Sequence, residues 1–111
     1  MKITSLDTLP LQKVSHNSKI SKKVMLSNKD LPHLTNFSQA TFDPGQTADA
    51  HAHQDMYEVF FVSAGMGIIR IDGRKYNLTP GVCVAVEPKE THEIVNTGTK
   101  ELVLTYFGIQ K

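Results

Sequence analysis

Short runs rich in Val, Ile, Phe, Thr and Tyr recur along the chain between Gly, Pro, Asn and Asp, and no longer segment carries an apolar stripe at helical spacing. This pattern predicts an all-β fold. The expected strands are Ser21–Ser27, Asn36–Phe42, Glu58–Ser63, Gly67–Ile71, Arg74–Leu78, Val82–Val86, Thr91–Asn96 and Leu102–Phe107, with a weaker one near Gln12–Ser15. Turn signals return about every eight to twelve residues, the spacing of a sandwich or barrel.

The sharpest local signal is Asp72–Gly73 between GIIRI and RKYNL, because Asp-Gly accepts the positive φ angles of a two-residue hairpin. Pairing Ile71 with Arg74 then sets Ile69 opposite Tyr76 and Gly67 opposite Leu78 on one face. That face is expected to be buried, with Tyr76 packed against Ile69, while Ile68, Arg70, Lys75 and Asn77 share the other. Thr79–Pro80–Gly81 suits a type II turn, and Asn28–Lys29–Asp30–Leu31–Pro32 reads as a loop. No repeat or linker interrupts the pattern, so one domain is expected over residues 1–111, with a barrel core at about 36–109 and N-terminal strands and loop at 1–35.

Composition narrows the function classes. The formal net charge is +1, so no strong field favours nucleic acid or an acidic membrane surface. Lys19, Lys22 and Lys23 sit among Ile20, Val24 and Leu26, and are expected on a solvated strand face. The N-terminal MKITSLDTLPLQ lacks the apolar core of a secretory signal, and no apolar run approaches membrane-spanning length, which predicts a cytoplasmic protein. The single Cys83 cannot form an internal disulfide, and its neighbours Val82, Val84 and Val86 suggest a buried, inert thiol.

Candidate chemistry gathers in the middle of the chain. His51 and His53 are two residues apart, and an extended strand sends both imidazoles to one side. Glu58 follows after a connection long enough to bring its carboxylate back to the same point. His92 comes later, on a strand where His92, Ile94 and Asn96 share a face. Three imidazoles and a carboxylate make a nitrogen and oxygen set for a first-row divalent metal, with Mn, Fe, Ni, Co, Cu and Zn all admissible.

The pattern Gly45-x5-His51-x-His53-x4-Glu58-x6-Gly65 resembles the first signature of the cupin superfamily at every fixed position. Gly81, Pro88, His92 and Asn96 match the second signature. Glu87 stands where a proline is usual and Lys89 where a glycine is usual, so the turn before His92 is open to question. The resemblance covers about Asn36 to Ile109. It implies a double-stranded β-helix, a jelly-roll β-barrel, with His51, His53, Glu58 and His92 holding one divalent transition metal inside the barrel mouth. On an ion with six ligands, two adjacent positions would be left for water, substrate or dioxygen.

Around the metal, Leu102, Leu104 and Tyr106 are expected on the inward face of the last strand, with Tyr106 opposite His92 and its phenol within reach of a metal-bound water or substrate. Glu87 is a second candidate base or hydrogen-bond acceptor beside the ligand strand. Asn96 is expected to tie down backbone near its turn, Gln54 and Asp55 to lie at the entrance or in solvent, and His16 and His33 to be surface histidines. Two functions compete. One is a metal-dependent enzyme, with dioxygenase-like chemistry on a small oxygenated organic molecule, or an isomerase or lyase. The other is a non-catalytic module that binds or senses a sugar or another small molecule. No helix-turn-helix segment is legible, which weighs against a complete transcriptional regulator. The resemblance also implies a homodimer paired through N-terminal strands, with Ser21–Ser27 extending a partner's sheet.

Overall fold

The computed structural model describes residues 1–14 and 17–111, and among them it contains strands and no helix. The strands are β1 (Gln12–Val14), β2 (Asn17–Leu26), β3 (Leu34–Phe42), β4 (Thr47–His51), β5 (Met56–Ala64), β6 (Gly67–Ile71), β7 (Arg74–Leu78), β8 (Cys83–Val86), β9 (His92–Val95) and β10 (Leu102–Gln110). They form a six-stranded sheet in the order β1-β2-β3-β10-β5-β8 and a four-stranded sheet in the order β4-β9-β6-β7. Ile20, Phe42, Phe60, Val62 and Leu104 from the larger sheet meet Ile69, Leu78 and Ile94 from the smaller one in a single core. Each such side chain removed from water contributes about 1.5–3 kcal/mol, and the two sheets are held face to face by that burial.

Every strand expected from the pattern is present; β2, β3, β5 and β10 are longer than expected, β6 and β7 have the expected bounds, and β8 and β9 are shorter. Ser15 and His16 lie outside the described residues, so the end of the weak first strand and the placement of His16 do too. One strand, β4, was not foreseen as separate. Its Thr-Ala-Asp-Ala-His sequence has little intrinsic strand preference, and it is extended because Thr47, Ala48 and His51 pair with Val95, Ile94 and His92 of β9.

The β6–β7 hairpin has the expected register, with Ile71 paired to Arg74 and Ile69 to Tyr76. Asp72 and Gly73 both have positive φ, at 49° and 84°, as a primed turn requires. Gly65 is needed for a second reason. Its φ is +84°, and a side chain there would run into the backbone carbonyl of Glu101.

Four expectations are corrected. Tyr76 is not packed in the core but 49% exposed, because β7 is the edge of its sheet and only its last residue, Leu78, reaches the interior. Cys83 is exposed rather than buried: on β8 it shares the outward side with Ala85, while Val84 and Val86 turn inward. Lys22 does not share the solvated face of Lys19 and Lys23, since alternation places it with Ile20 and Val24 on the inner side of β2. Finally, Ser21–Ser27 offers no open edge over its first residues, because Ser21 and Lys22 already pair with Lys13 and Gln12 of β1.

Candidate metal centre

Three strands and one loop deliver the four candidate ligands. In the ladder between β4 and β9 a bulge after Ala48 seats His51 directly against His92. His53 follows two residues on, in the link to β5. Glu58 enters from β5, where it pairs with Gly108 of β10 and Val86 of β8. The ring centroids of His51 and His92 are 4.2 Å apart, those of His51 and His53 5.0 Å, and those of His53 and His92 5.5 Å. One ligand atom from each of the four residues lies within 4.8 Å of the others. His92 and Glu58 are buried and the other two half-buried, so the cluster opens to one side.

Backbone carbonyls set the rings. His51 Nδ1 lies 2.8 Å from the Asp49 carbonyl oxygen and His92 Nδ1 lies 3.2 Å from that of Glu90. A carbonyl only accepts, so each Nδ1 carries a proton and each Nε2 is the nitrogen presented to the centre. There Glu58 Oε1 sits 2.9 Å from His53 Nε2 and 3.1 Å from His92 Nε2. Burial pushes the Glu58 carboxyl up, but the His92 hydrogen bond and the charges of His53, His92 and His51 outweigh it and hold it below its ordinary value. Burial likewise pushes His92 down, and its bonds to Glu58 and the Glu90 carbonyl reverse this and raise it. The lowered Glu58 carboxyl and the raised His92 mark this as a point that favours positive charge. A divalent cation would answer the same requirement. The donor set fits such an ion.

The turn before His92 keeps its shape despite Glu87 and Lys89. Glu90 N–H donates to the Glu87 carbonyl at 3.2 Å, and the Glu90 carboxylate accepts from Glu87 N–H at 2.7 Å. Lys89 adopts φ 71°, the left-handed conformation that glycine takes most readily. Its N–H donates to the His53 carbonyl at 2.6 Å, so the turn is tied to the loop carrying a ligand.

A cavity of about 240 Å³ opens beside the cluster. His51, His53 and Glu58 lie at one side of it; Ala40, Phe42, Phe60, Ile94, Leu104 and Tyr106 line it further in, together with the polar Lys22, Thr35 and Asn36. Tyr106 does not come opposite His92, because β9 and β10 belong to different sheets. It pairs instead with Ser38 and Phe60. The Phe60 ring stands between the two, 6.0 Å from His92 and 5.6 Å from Tyr106. Burial pushes the Tyr106 phenol up to about 12, against an opposing bond to Ser38. Ser38 Oγ donates to Asn36 Oδ1 at 2.7 Å. Tyr106 lines the cavity, where its phenol can donate or accept a hydrogen bond.

Glu87 is exposed and does not line this cavity, and Gln54 and Asp55 are also exposed, with Asp55 Oδ2 accepting from Gln110 Nε2 at 2.8 Å. His33 is exposed and away from the cluster. Asn96 is 1% exposed, and its amide donates to the carbonyls of Phe42 and Lys100 and accepts from Gly98 N–H. It pins the turn after β9, as expected. Three residues escaped the reading of the sequence: Ser38, Asn36 and Lys22. The first two carry no spacing signal. Lys22 did carry one, since it interrupts the apolar alternation Ile20-x-Lys22-x-Val24.

A family model described as "Cupin domain" matches residues 38–108, more than half of the chain. Among curated proteins, the "Oxalate-binding protein" of Thermotoga maritima is 26% identical over 66 residues, which cover 60% of this chain and 54% of that protein. An uncharacterized protein of Methanocaldococcus jannaschii is 26% identical over 65 residues, covering 59% and 52%. The chain thus spans about half the length of the curated relatives it matches. Among solved structures, a predicted oxalate decarboxylase from Thermotoga maritima superposes with a TM-score of 0.90 at 20% identity, covering 100% of both chains. KdgF from Halomonas sp. does so with 0.83 at 21%, covering 100% of this chain and 96% of that one. At these identities the likeness to solved structures shows a shared fold, the jelly-roll barrel.

Proposed function

Because the chain belongs to the cupin family, we propose that it is a metal-dependent cupin in which His51, His53, Glu58 and His92 hold one divalent transition metal and a small oxygenated organic molecule reacts beside it. The observation that carries this reading is the convergence of four ligand atoms within 4.8 Å at the wall of a cavity. A bound Mn, Fe, Ni, Co, Cu or Zn ion would supply Lewis acidity and, where redox-active, a means of activating dioxygen. Phe60, Leu104 and Ile94 exclude water from the walls. Tyr106 orients the bound molecule through a hydrogen bond to its phenol. Glu87 would contribute only by reaching in from the exposed turn before His92. Elemental analysis tests the metal, and oxygen uptake by iron- or manganese-loaded protein against a panel of hydroxy acids, diols and phenols tests the reaction. About one equivalent of metal with uptake on one class of compound is expected; no metal, even after incubation, would sink the reading.

A second reading is a binding module, favoured by the name of the Thermotoga maritima relative, which records oxalate binding and no conversion. Tight binding of an organic acid with no turnover under any metal would decide for it. Pairing of two copies through N-terminal strands is also proposed, now through the edge of β1 rather than of β2. A monomer mass by light scattering would remove that arrangement.

A further inference from the structure

Lys22 stands two residues after Ile20 in one row of β2. Ile20 in the same row is 0% exposed. Across the ladder Lys22 pairs with Ala40, and Ala40 with Leu104; Ala40 is 3% exposed and Leu104 1%. All three line the cavity beside the metal centre. Two other lysines of the N-terminal part are answered by the protein: Lys23 Nζ donates to the Leu6 carbonyl at 2.6 Å, and Lys2 pairs with Asp30 at 2.6 Å; Lys13 and Lys19 do not line the cavity. Among the described residues nothing accepts from Lys22 Nζ. An ammonium on an apolar wall loses hydration, and lysines are rarely drawn inward without a partner. The other charged groups on the cavity belong to the metal centre, where Glu58 is already engaged by two histidines.

With a divalent ion bound, the cavity would hold positive charge at both ends and a hydrocarbon wall between them. We propose, resting on the metal-dependent reading above, that the ligand is a small dicarboxylate. One carboxylate meets the metal, and the other pairs with Lys22 across the surface of Ala40, Phe60 and Leu104. Lys22 is thus the residue that determines specificity. Its strand lies three strands from that of Glu58, about 14 Å along the curved sheet. The lysine side chain shortens that gap, but two carboxylates joined by a single C–C bond, as in oxalate, do not bridge it. A chain of a few methylenes does. A single ammonium, with no arginine and no helix N-terminus beside it, suits a carboxylate better than a phosphate, which gathers several donors.

The test uses glutarate and pentanoate, which have equal carbon counts and differ in the second carboxylate, together with oxalate. Calorimetry on the metal-loaded protein should give glutarate at least tenfold tighter than pentanoate or oxalate. Lys22→Gln should erase the preference for glutarate, with metal content unchanged; Lys22→Met, which keeps the packing of the stem, does the same should the glutamine variant fail to fold. Equal affinity for glutarate and pentanoate, or a preference that survives both substitutions, overturns the proposal. Elemental analysis, done first, reports on the metal-dependent reading alone. A metal-free protein without the glutarate preference overturns both.

Discussion

The rim that carries His51, His53, Glu58 and His92 and the wall that carries Lys22, Asn36 and Tyr106 share one cavity but are built in different ways. The rim is polar, and backbone carbonyls hold it: Asp49 for His51, Glu90 for His92, and the His53 carbonyl for the turn at Lys89. The wall is mostly apolar. Thr35, Asn36 and the Tyr106 phenol interrupt it, with Asn36 Oδ1 accepting from Ser38 Oγ behind it, and Lys22 is the charged residue it carries. A rim fixed by backbone tolerates little change, because each ring has one orientation that serves. A wall made of side chains can be altered residue by residue while the centre stays intact.

Phe60 is the one ring that touches both regions, and its removal is expected to have the largest effect. It is 7% exposed and lies between His92 and Tyr106. Phe60→Ala should cost about 3–5 kcal/mol of stability and weaken metal binding as well, read by denaturant unfolding and by metal titration. If stability falls while metal affinity is untouched, rim and wall are independent and the comparison fails at its joint. Next comes the rim alone. His51→Ala should lower bound metal from about one equivalent to near none after desalting, and abolish the thermal protection given by metal. At a hundredfold excess of metal over its Kd that protection is about 2.7 kcal/mol in the natural chain.

The two regions also differ in how far they could be read from the sequence. The rim was legible because its chemistry is written in spacing: two histidines at strand period, a glutamate at fixed distance, and a histidine phased with Ile94 and Asn96. The hairpin at Asp72–Gly73 was legible because its turn residues admit only one geometry. What the pattern could not supply was which strands become neighbours. Spacing alone places Tyr106 opposite His92, although it belongs to the other sheet, and Tyr76 in the core, although its strand is an edge. Cys83 and Lys22 have another cause. At Lys22 the charge suggests the solvent side and at Cys83 the valine neighbours suggest burial, whereas the alternation of each strand gives the true side.

A smaller effect is expected within the wall. Ser38→Ala leaves the Tyr106 hydroxyl and Asn36 Oδ1 without their partner and should cost about 1–3 kcal/mol, with metal content unchanged. The same tyrosine sets an alkaline limit. Because burial raises its phenol to about 12 in the folded chain, the folded state keeps its proton where the unfolded state loses it, above about 10. Its contribution is complete below that pH and is lost as pH rises through the folded value. Tyr106→Phe should therefore flatten the fall in melting temperature at alkaline pH; an unchanged slope would show that the fall belongs to other groups.

The smallest effect concerns the rim's one strained residue. Lys89 takes a left-handed backbone conformation that disfavours a side chain by about 1–2 kcal/mol, at the position where the resembling signature carries glycine. Glycine would relieve that strain but admit more freedom to the unfolded chain, an opposing term of about 0.5–1 kcal/mol. The balance for Lys89→Gly is a gain of up to about 1 kcal/mol, seen as a melting temperature raised by a few degrees. The Lys89 N–H bond to the His53 carbonyl needs no side chain, so metal affinity should stay as it was. A substitution that loosened the metal instead would mean that the lysine side chain, and not the backbone alone, holds the rim in place.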